Sequence, residues 1–255
     1  MKSIVQIVAL ILGLQLAFTH SASGQKLIRI DADLKSNSQQ LRAKRKGLSS
    51  VGKYEFGPYR VISGKGGWEK TTQKSVLRNS SIKSSTSMSF VFAGEGADTS
   101  FANMSVAENV EIDGGSWFIR TFTPWSDAEV KVGEGVFECA FSFSSDKAPW
   151  HLLAIYPVAA EVDGIYQTDD HTMFRGMLSD KETSIEIAEI NINEEGGNSF
   201  LNPVLGYEFW MDSRSLAAVQ VLPANRWYIW IREDLGPDLQ FVLASAITAM
   251  LVRLM

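Results

Sequence analysis

The chain has 255 residues, of which 45% are apolar and 21% charged, and a net charge of −5 at pH 7. These fractions are those of a folded globular protein, and a sequence pI near 5.3 disfavours nucleic acid as a partner. The 14 Phe and 7 Trp favour sheets over helical bundles, and a lone cysteine, Cys139, excludes an internal disulfide.

Residues 1–24 have the layout of a secretory signal peptide. Lys2 opens a mostly apolar run from Ile4 to Phe18, and small residues from Ser21 to Gly24 follow. The run is short for a membrane span, which takes about 20 apolar residues. Cleavage near Gly24 leaves Ala22 at the minus-three position, so the expected location is outside the cytoplasm: secreted, periplasmic or at the cell surface. Residues 25–48 read as a basic, polar N-terminal arm. Ile28 and Ile30 suit a short strand, but Ser36–Gln40 and the basic Arg42, Lys44, Arg45 and Lys46 offer little to bury. The remainder, 49–255, reads as one β-rich domain.

Within that domain, period-two segments recur between turn-forming clusters. Phe90 alternates with Ser89 and Val91, and Met104, Val106, Val110 and Ile112 share a parity up to the turn Asp113-Gly-Gly115. Trp117–Phe122, Val136–Phe143 and Trp150–Val158 continue the series. Phe137, Cys139, Phe141 and Phe143 share one face, which makes Cys139 a buried small hydrophobe; the competing reading is a reactive or dimer-linking thiol. Ile185 and Ile187 have one parity and Ile190 and Ile192 the other, which a bulge near Ala188 reconciles. Tyr207–Met211, Leu216–Leu222 and Arg226–Arg232 follow, and Trp227-Tyr-Ile-Trp-Ile231 is apolar on both faces, as a strand covered on both sides must be. Helical spacing takes over at 237–254, with Pro237 in the first turn and Ala244, Ser245, Thr248 and Ala249 forming a small-residue face. The fold class is therefore all-β, an antiparallel sandwich or barrel of roughly nine to twelve strands with one C-terminal helix packed on the sheet.

Gly66-Gly67-Trp68 resembles the Gly-x-Trp signature at the start of the lipocalin barrel. That resemblance implies a barrel with an apolar ligand cavity. Here the motif lies more than forty residues beyond the cleavage point, and the helix is terminal instead of preceding a last strand. Arg42-Ala-Lys-Arg45 resembles a polybasic convertase site, and Asn79-Ser-Ser81 and Asn103-Met-Ser105 are sequons; both patterns matter only in a eukaryotic secretory pathway.

Charge is split along the chain. Residues 25–83 hold fourteen Lys or Arg against four Asp or Glu, whereas residues 84–255 hold nine against twenty-five. Lys44, Arg45 and Lys46 head a basic quarter suited to an acidic polysaccharide or lipid headgroup, or to neutralising the acidic body of the same molecule or of a neighbour.

Catalytic motifs are sparse. No nucleophile elbow, zinc-hydrolase helix or phosphate-binding glycine loop occurs, and no cofactor is expected. His151 falls inside a strand. Asp169-Asp170-His171 is a polar loop able to hold a metal or orient a general base, and Glu194-Glu-Gly-Gly-Asn198 reads as a solvated hairpin turn in preference to a calcium loop. The leading reading is an exported, non-catalytic binding protein. Its ligand is either a hydrophobic small molecule held between Trp117, Trp150, Trp210 and Trp230, or an anion held by the basic quarter. The competing readings are a structural surface protein that self-associates through opposite charges, and a hydrolytic or metal-dependent enzyme using Asp169, Asp170 and His171.

Overall fold

The computed structural model describes residues 26–47, 51–67, 70–76, 79–94, 98–108, 134–144, 148–158, 160–162, 165–167, 173–197, 204–223 and 227–253. Among the described residues fifteen strands are formed: β1 (Ser38–Lys46), β2 (Lys53–Phe56), β3 (Tyr59–Lys65), β4 (Lys70–Val76), β5 (Asn79–Ala93), β6 (Thr99–Glu108), β7 (Glu134–Phe143), β8 (Trp150–Pro157), β9 (Ala160–Val162), β10 (Ile165–Gln167), β11 (Arg175–Ser179), β12 (Ser184–Ile190), β13 (Gly206–Met211), β14 (Arg214–Gln220) and β15 (Trp227–Arg232). Thirteen make one antiparallel sheet in the order β3-β2-β1-β15-β14-β13-β12-β11-β8-β7-β6-β5-β4. Because β3 also pairs with β5, twelve of them close into a barrel. β4 stays outside that ring, paired to the first half of β5, and β9–β10 form a separate ribbon.

The inner face is apolar. One cross-strand row runs Met88, Met104, Cys139, Leu152, Leu178, Ile185, from β5 around to β12. Trp227, Ile229 and Ile231 of β15 continue the lining on the far side. A barrel of twelve strands about 4.8 Å apart, tilted by about 40°, has a radius of about 12 Å, too wide for its own side chains to fill.

The C-terminal helix (Pro237–Arg253) fills the space. Every residue from Phe241 to Val252 is at most 6% exposed, so no side of the helix faces water beyond its first turn. It touches the wall all round: Phe241 meets Tyr59 of β3 and Phe92 of β5, Ser245 meets Ser100 of β6, and Arg253 lies over Tyr156 of β8. The helix packed on the sheet is thus present, and the surface it packs against is the inner wall. Its polar groups are answered locally. Ser245 and Thr248 donate to the carbonyls of Phe241 and Ala244 at 2.9 and 2.8 Å. Tyr54 donates at 3.1 Å to the Leu251 carbonyl, one of the last four, which have no partner within a helix. Burial pushes the Tyr54 phenol up to about 12, so it stays a donor.

The outside of β13–β15 is covered too. Ile28 and Leu34, the latter in a short helix (Ala32–Ser36), pack with Ile190, Ala218 and Trp230. The Asp31 amide and the Ser215 hydroxyl both donate to Glu208, whose carboxyl burial pushes up. Gly206 permits both the close approach of β14 and this docking, because a Cβ there would lie 2.4 Å from the Val219 carbonyl oxygen and 2.8 Å from Ile28 Cδ1.

Two expectations change. First, the basic arm does bury apolar side chains: residues 38–46 are β1, paired with both β15 and β2, and Ile28 and Leu34 dock on the outer wall. A barrel strand needs apolar side chains on its inner face only. Leu41 and Ala43 supply them here, while Arg42 and Lys44 stay exposed. Arg42-Ala-Lys-Arg45 consequently sits inside a paired strand, a poor protease substrate. Second, β12 passes Ala188 without a bulge, its residues pairing in step with β13. Its parity change reflects two buried faces, Ile185 and Ile187 inward and Ile190 beneath Ile28. The register shift lies instead in the β13–β14 hairpin at Phe209/Trp210. β6 is described as far as Glu108. Val110, Ile112 and the expected strand Trp117–Phe122 lie outside the described residues.

Leu243 and Val252 are nine residues apart and so point to opposite sides of the helix. Urea denaturation should show Leu243→Ala costing about 3 kcal/mol and Val252→Ala about 2 kcal/mol. A helix lying on an outer face would tolerate one of the two.

Candidate binding site at the barrel mouth

The two ends of the barrel differ. At the helix C-terminus, the Arg253 guanidinium lies 3.6 Å from the Tyr156 ring centroid and 5.7 Å from that of Phe137. Gly135 makes room for the Tyr156 ring, which a Cβ would meet at 2.3 Å. Tyr156 donates to Glu108 at 3.3 Å. Burial pushes the Glu189 carboxyl up, and Arg253 partly offsets this. The longest connections, 109–133, 158–174 and 191–205, all leave this end.

At the helix N-terminus the connections are short. Phe241 stacks on Phe92 (centroids 5.7 Å, interplanar 25°), which itself stacks on Tyr59 at 6.0 Å. This cluster anchors the first turn to the β3–β5 wall. On the opposite side, between the helix and β7, β8 and β13, a cavity of about 460 Å³ remains. Its walls are Phe143, Trp150, Met211, Leu239, Phe241 and Val242, and its polar edge is Asp180, Thr183 and Asp238 with Ala148 beside them. Trp150 reaches it because it shares the inward parity of Leu152 and Ala154 on β8. Met211 is held at the rim by a two-residue hairpin, Asp212-Ser213, whose φ angles of 51° and 64° are both left-handed. The Asp180 carboxylate accepts from the amides of Glu182 and Thr183 at 2.8 and 2.6 Å, which fixes the β11–β12 turn. Among the described residues, the lining includes two carboxylates and no Lys or Arg.

The sequence-selected residues scatter over this frame. Trp150 lies in the mouth. Trp210 faces outward, beside an open cavity of about 490 Å³ shared with Glu186. Trp230 is 4% exposed and sits under the N-terminal segment. Trp117, Asp169, Asp170 and His171 lie outside the described residues. Lys44 and Lys46 are exposed on the outer face of β1, while Arg45 has the opposite parity and packs over Gly52, so the three do not make one surface. No group of three or more His, Cys, Asp or Glu able to hold a metal occurs among the described residues. Met211, Asp180, Asp238 and Leu239 were not singled out from sequence. The only available signal was Pro237, which marks where the helix begins.

A further cavity of about 410 Å³ lies over β5–β8, bordered by Asn103, Glu138, Cys139 and His151. Cys139 is 1% exposed and its thiol is pushed well up by burial. Burial also lowers the His151 imidazole.

No protein-family model, curated protein or solved structure matches this chain.

Two tests follow from these burials. Cys139 should not react with a thiol reagent such as DTNB in the native protein and should react fully after unfolding; rapid native labelling would show an accessible thiol. His151 binds its proton less readily folded than unfolded, so stability should fall as pH drops through the ordinary imidazole value of about 6.5 towards the lowered folded one. His151→Gln should flatten that part of the stability–pH curve measured by denaturant titration.

Proposed function

We propose that this protein is an exported, non-catalytic binding protein that holds a small amphipathic molecule in the mouth of its barrel. The ligand has an apolar body and a positively charged end. One observation carries this: the preformed cavity in which Trp150, Phe143, Met211 and Leu239 meet Asp180 and Asp238. At about 460 Å³ it lies in the size range of small-molecule sites, which are apolar with a few placed polar groups. Trp150 supplies an aromatic face for a cation, and the Asp180 carboxylate supplies matching charge. The helix occupies the interior where a lipocalin-like ligand would lie, which leaves the mouth as the place for one.

Export rests on the N-terminal signal pattern. A barrel standing in water is supported by its faces: apolar inward, with Arg42, Lys44, Lys53, Arg60 and Asn103 exposed outward. A lipid-embedded barrel has the reverse arrangement.

Isothermal titration with decyltrimethylammonium, kept below its micellar concentration, tests the reading. Saturable binding at one site is expected, stronger than for decyl sulfate and roughly tenfold weaker in Trp150→Ala. Absence of saturable binding, preference for the sulfate, or an unaffected Trp150→Ala would contradict it.

A further inference from the structure

The outer face of β1–β3, on a different part of the molecule from the mouth, carries its own charge pattern. Arg42, Lys44 and Lys46 of β1, Lys53 of β2 and Arg60 of β3 are all exposed, and the one carboxylate among them is Glu55. Pairing fixes their positions. Lys44 lies opposite Glu55, Glu55 opposite Arg60, and Lys46 opposite Lys53. Glu55 is already engaged, accepting from Lys46 Nζ at 2.7 Å. Its carboxyl is held below the usual range by Lys46 first, then by Lys44 and Arg60.

Neutralisation from within the molecule accounts for Lys46, through Glu55, and for basic residues elsewhere, but not for the other four. Lys26 and Lys35 pair with Glu195 and Glu194. Arg42, Lys44, Lys53 and Arg60 form no salt bridge with a described residue. The face is therefore a positive patch on a chain whose residues 84–255 carry nine cations against twenty-five anions. A polyanion is attracted here and repelled by much of the rest, which fixes where it lands.

We infer that this β1–β3 face binds an acidic polysaccharide, a chain bearing carboxylate or sulfate groups along its length. Outward side chains repeat about 7 Å apart along a strand and about 5 Å apart across strands, a two-dimensional array that a flexible charged polymer can follow. The barrel wall is convex, so a planar bilayer would touch only its crest. A single-stranded nucleic acid would need exposed rings to stack on, and this face offers lysine stems and Ile62, which is 48% exposed.

The test is retention of the full protein on immobilised heparin and on polygalacturonate at low ionic strength, eluted with salt. Expected are retention on at least one column, its loss in Lys44→Glu/Lys53→Glu/Arg60→Glu, and roughly tenfold weaker binding of Lys53→Glu to heparin oligosaccharide by calorimetry. Lys181→Glu, an equal charge change at the exposed β11–β12 turn, should bind like the parent. Circular dichroism checks folding of each variant; if the triple variant does not fold, Lys44→Gln and Lys53→Gln carry the same comparison. Four results would overturn the inference: no retention of the parent on either column, equal losses in Lys53→Glu and Lys181→Glu, tighter binding to phosphatidylglycerol-containing vesicles, or tighter binding to a single-stranded oligonucleotide.

Discussion

A helix with no polar face cannot be left with any side in water, and the rest of this structure follows from that constraint. Twelve consecutive buried residues, Phe241 to Val252, need apolar partners in every direction. One flat sheet supplies them on one side only; a closed sheet supplies them all round. With side chains included, a helix is about 10–12 Å across, and a twelve-stranded barrel leaves room for it plus one inward layer from the wall. Ala244, Ser245, Thr248 and Ala249 matter for the same reason. Small residues let the wall approach on that side, and the two hydroxyls bond within the helix so that neither is stranded in an apolar interior.

Filling the barrel with the chain's own helix moves any ligand site to the periphery. At the C-terminal end, Arg253 spreads its charge over Tyr156 and Phe137, with Glu189 and Glu108 nearby. At the N-terminal end, the aromatic cluster around Phe241 anchors the helix to one wall, and the cavity lies between the helix and the opposite wall. The mouth and the basic outer face differ in chemistry, the first apolar with carboxylates and the second cationic.

Much of the fold was legible because strand alternation reports burial directly. Phe137, Cys139 and Phe141 face inward as their spacing requires, and Trp227 to Ile231 is covered on both sides as its doubly apolar pattern requires. Closure was not legible, since the β3–β5 pairing that makes a barrel leaves no local mark. β1 was hidden by its charge: on a wall strand, two modest residues, Leu41 and Ala43, do the burying while lysines and arginines dominate the composition. The helix was read correctly as a helix, but a small-residue face looks the same whether it meets an outer or an inner wall. The mouth was the least legible part. Trp150, Asp180, Met211 and Leu239 come from four separate stretches of chain, and only the barrel's register brings them together. Tryptophan content alone selected Trp210 and Trp230, which the pleat turns outward.

Hydrogen exchange of the helix amides, read by mass spectrometry on the intact chain, tests the central claim most directly. If the barrel surrounds the helix, amides from Phe241 to Val252 cannot open until the barrel does, and they should exchange only with the slowest, globally protected strands. Exchange of the helix well before β7, β8 and β14 would mean that it can leave while the sheet stays folded, which contradicts a helix enclosed by its own barrel.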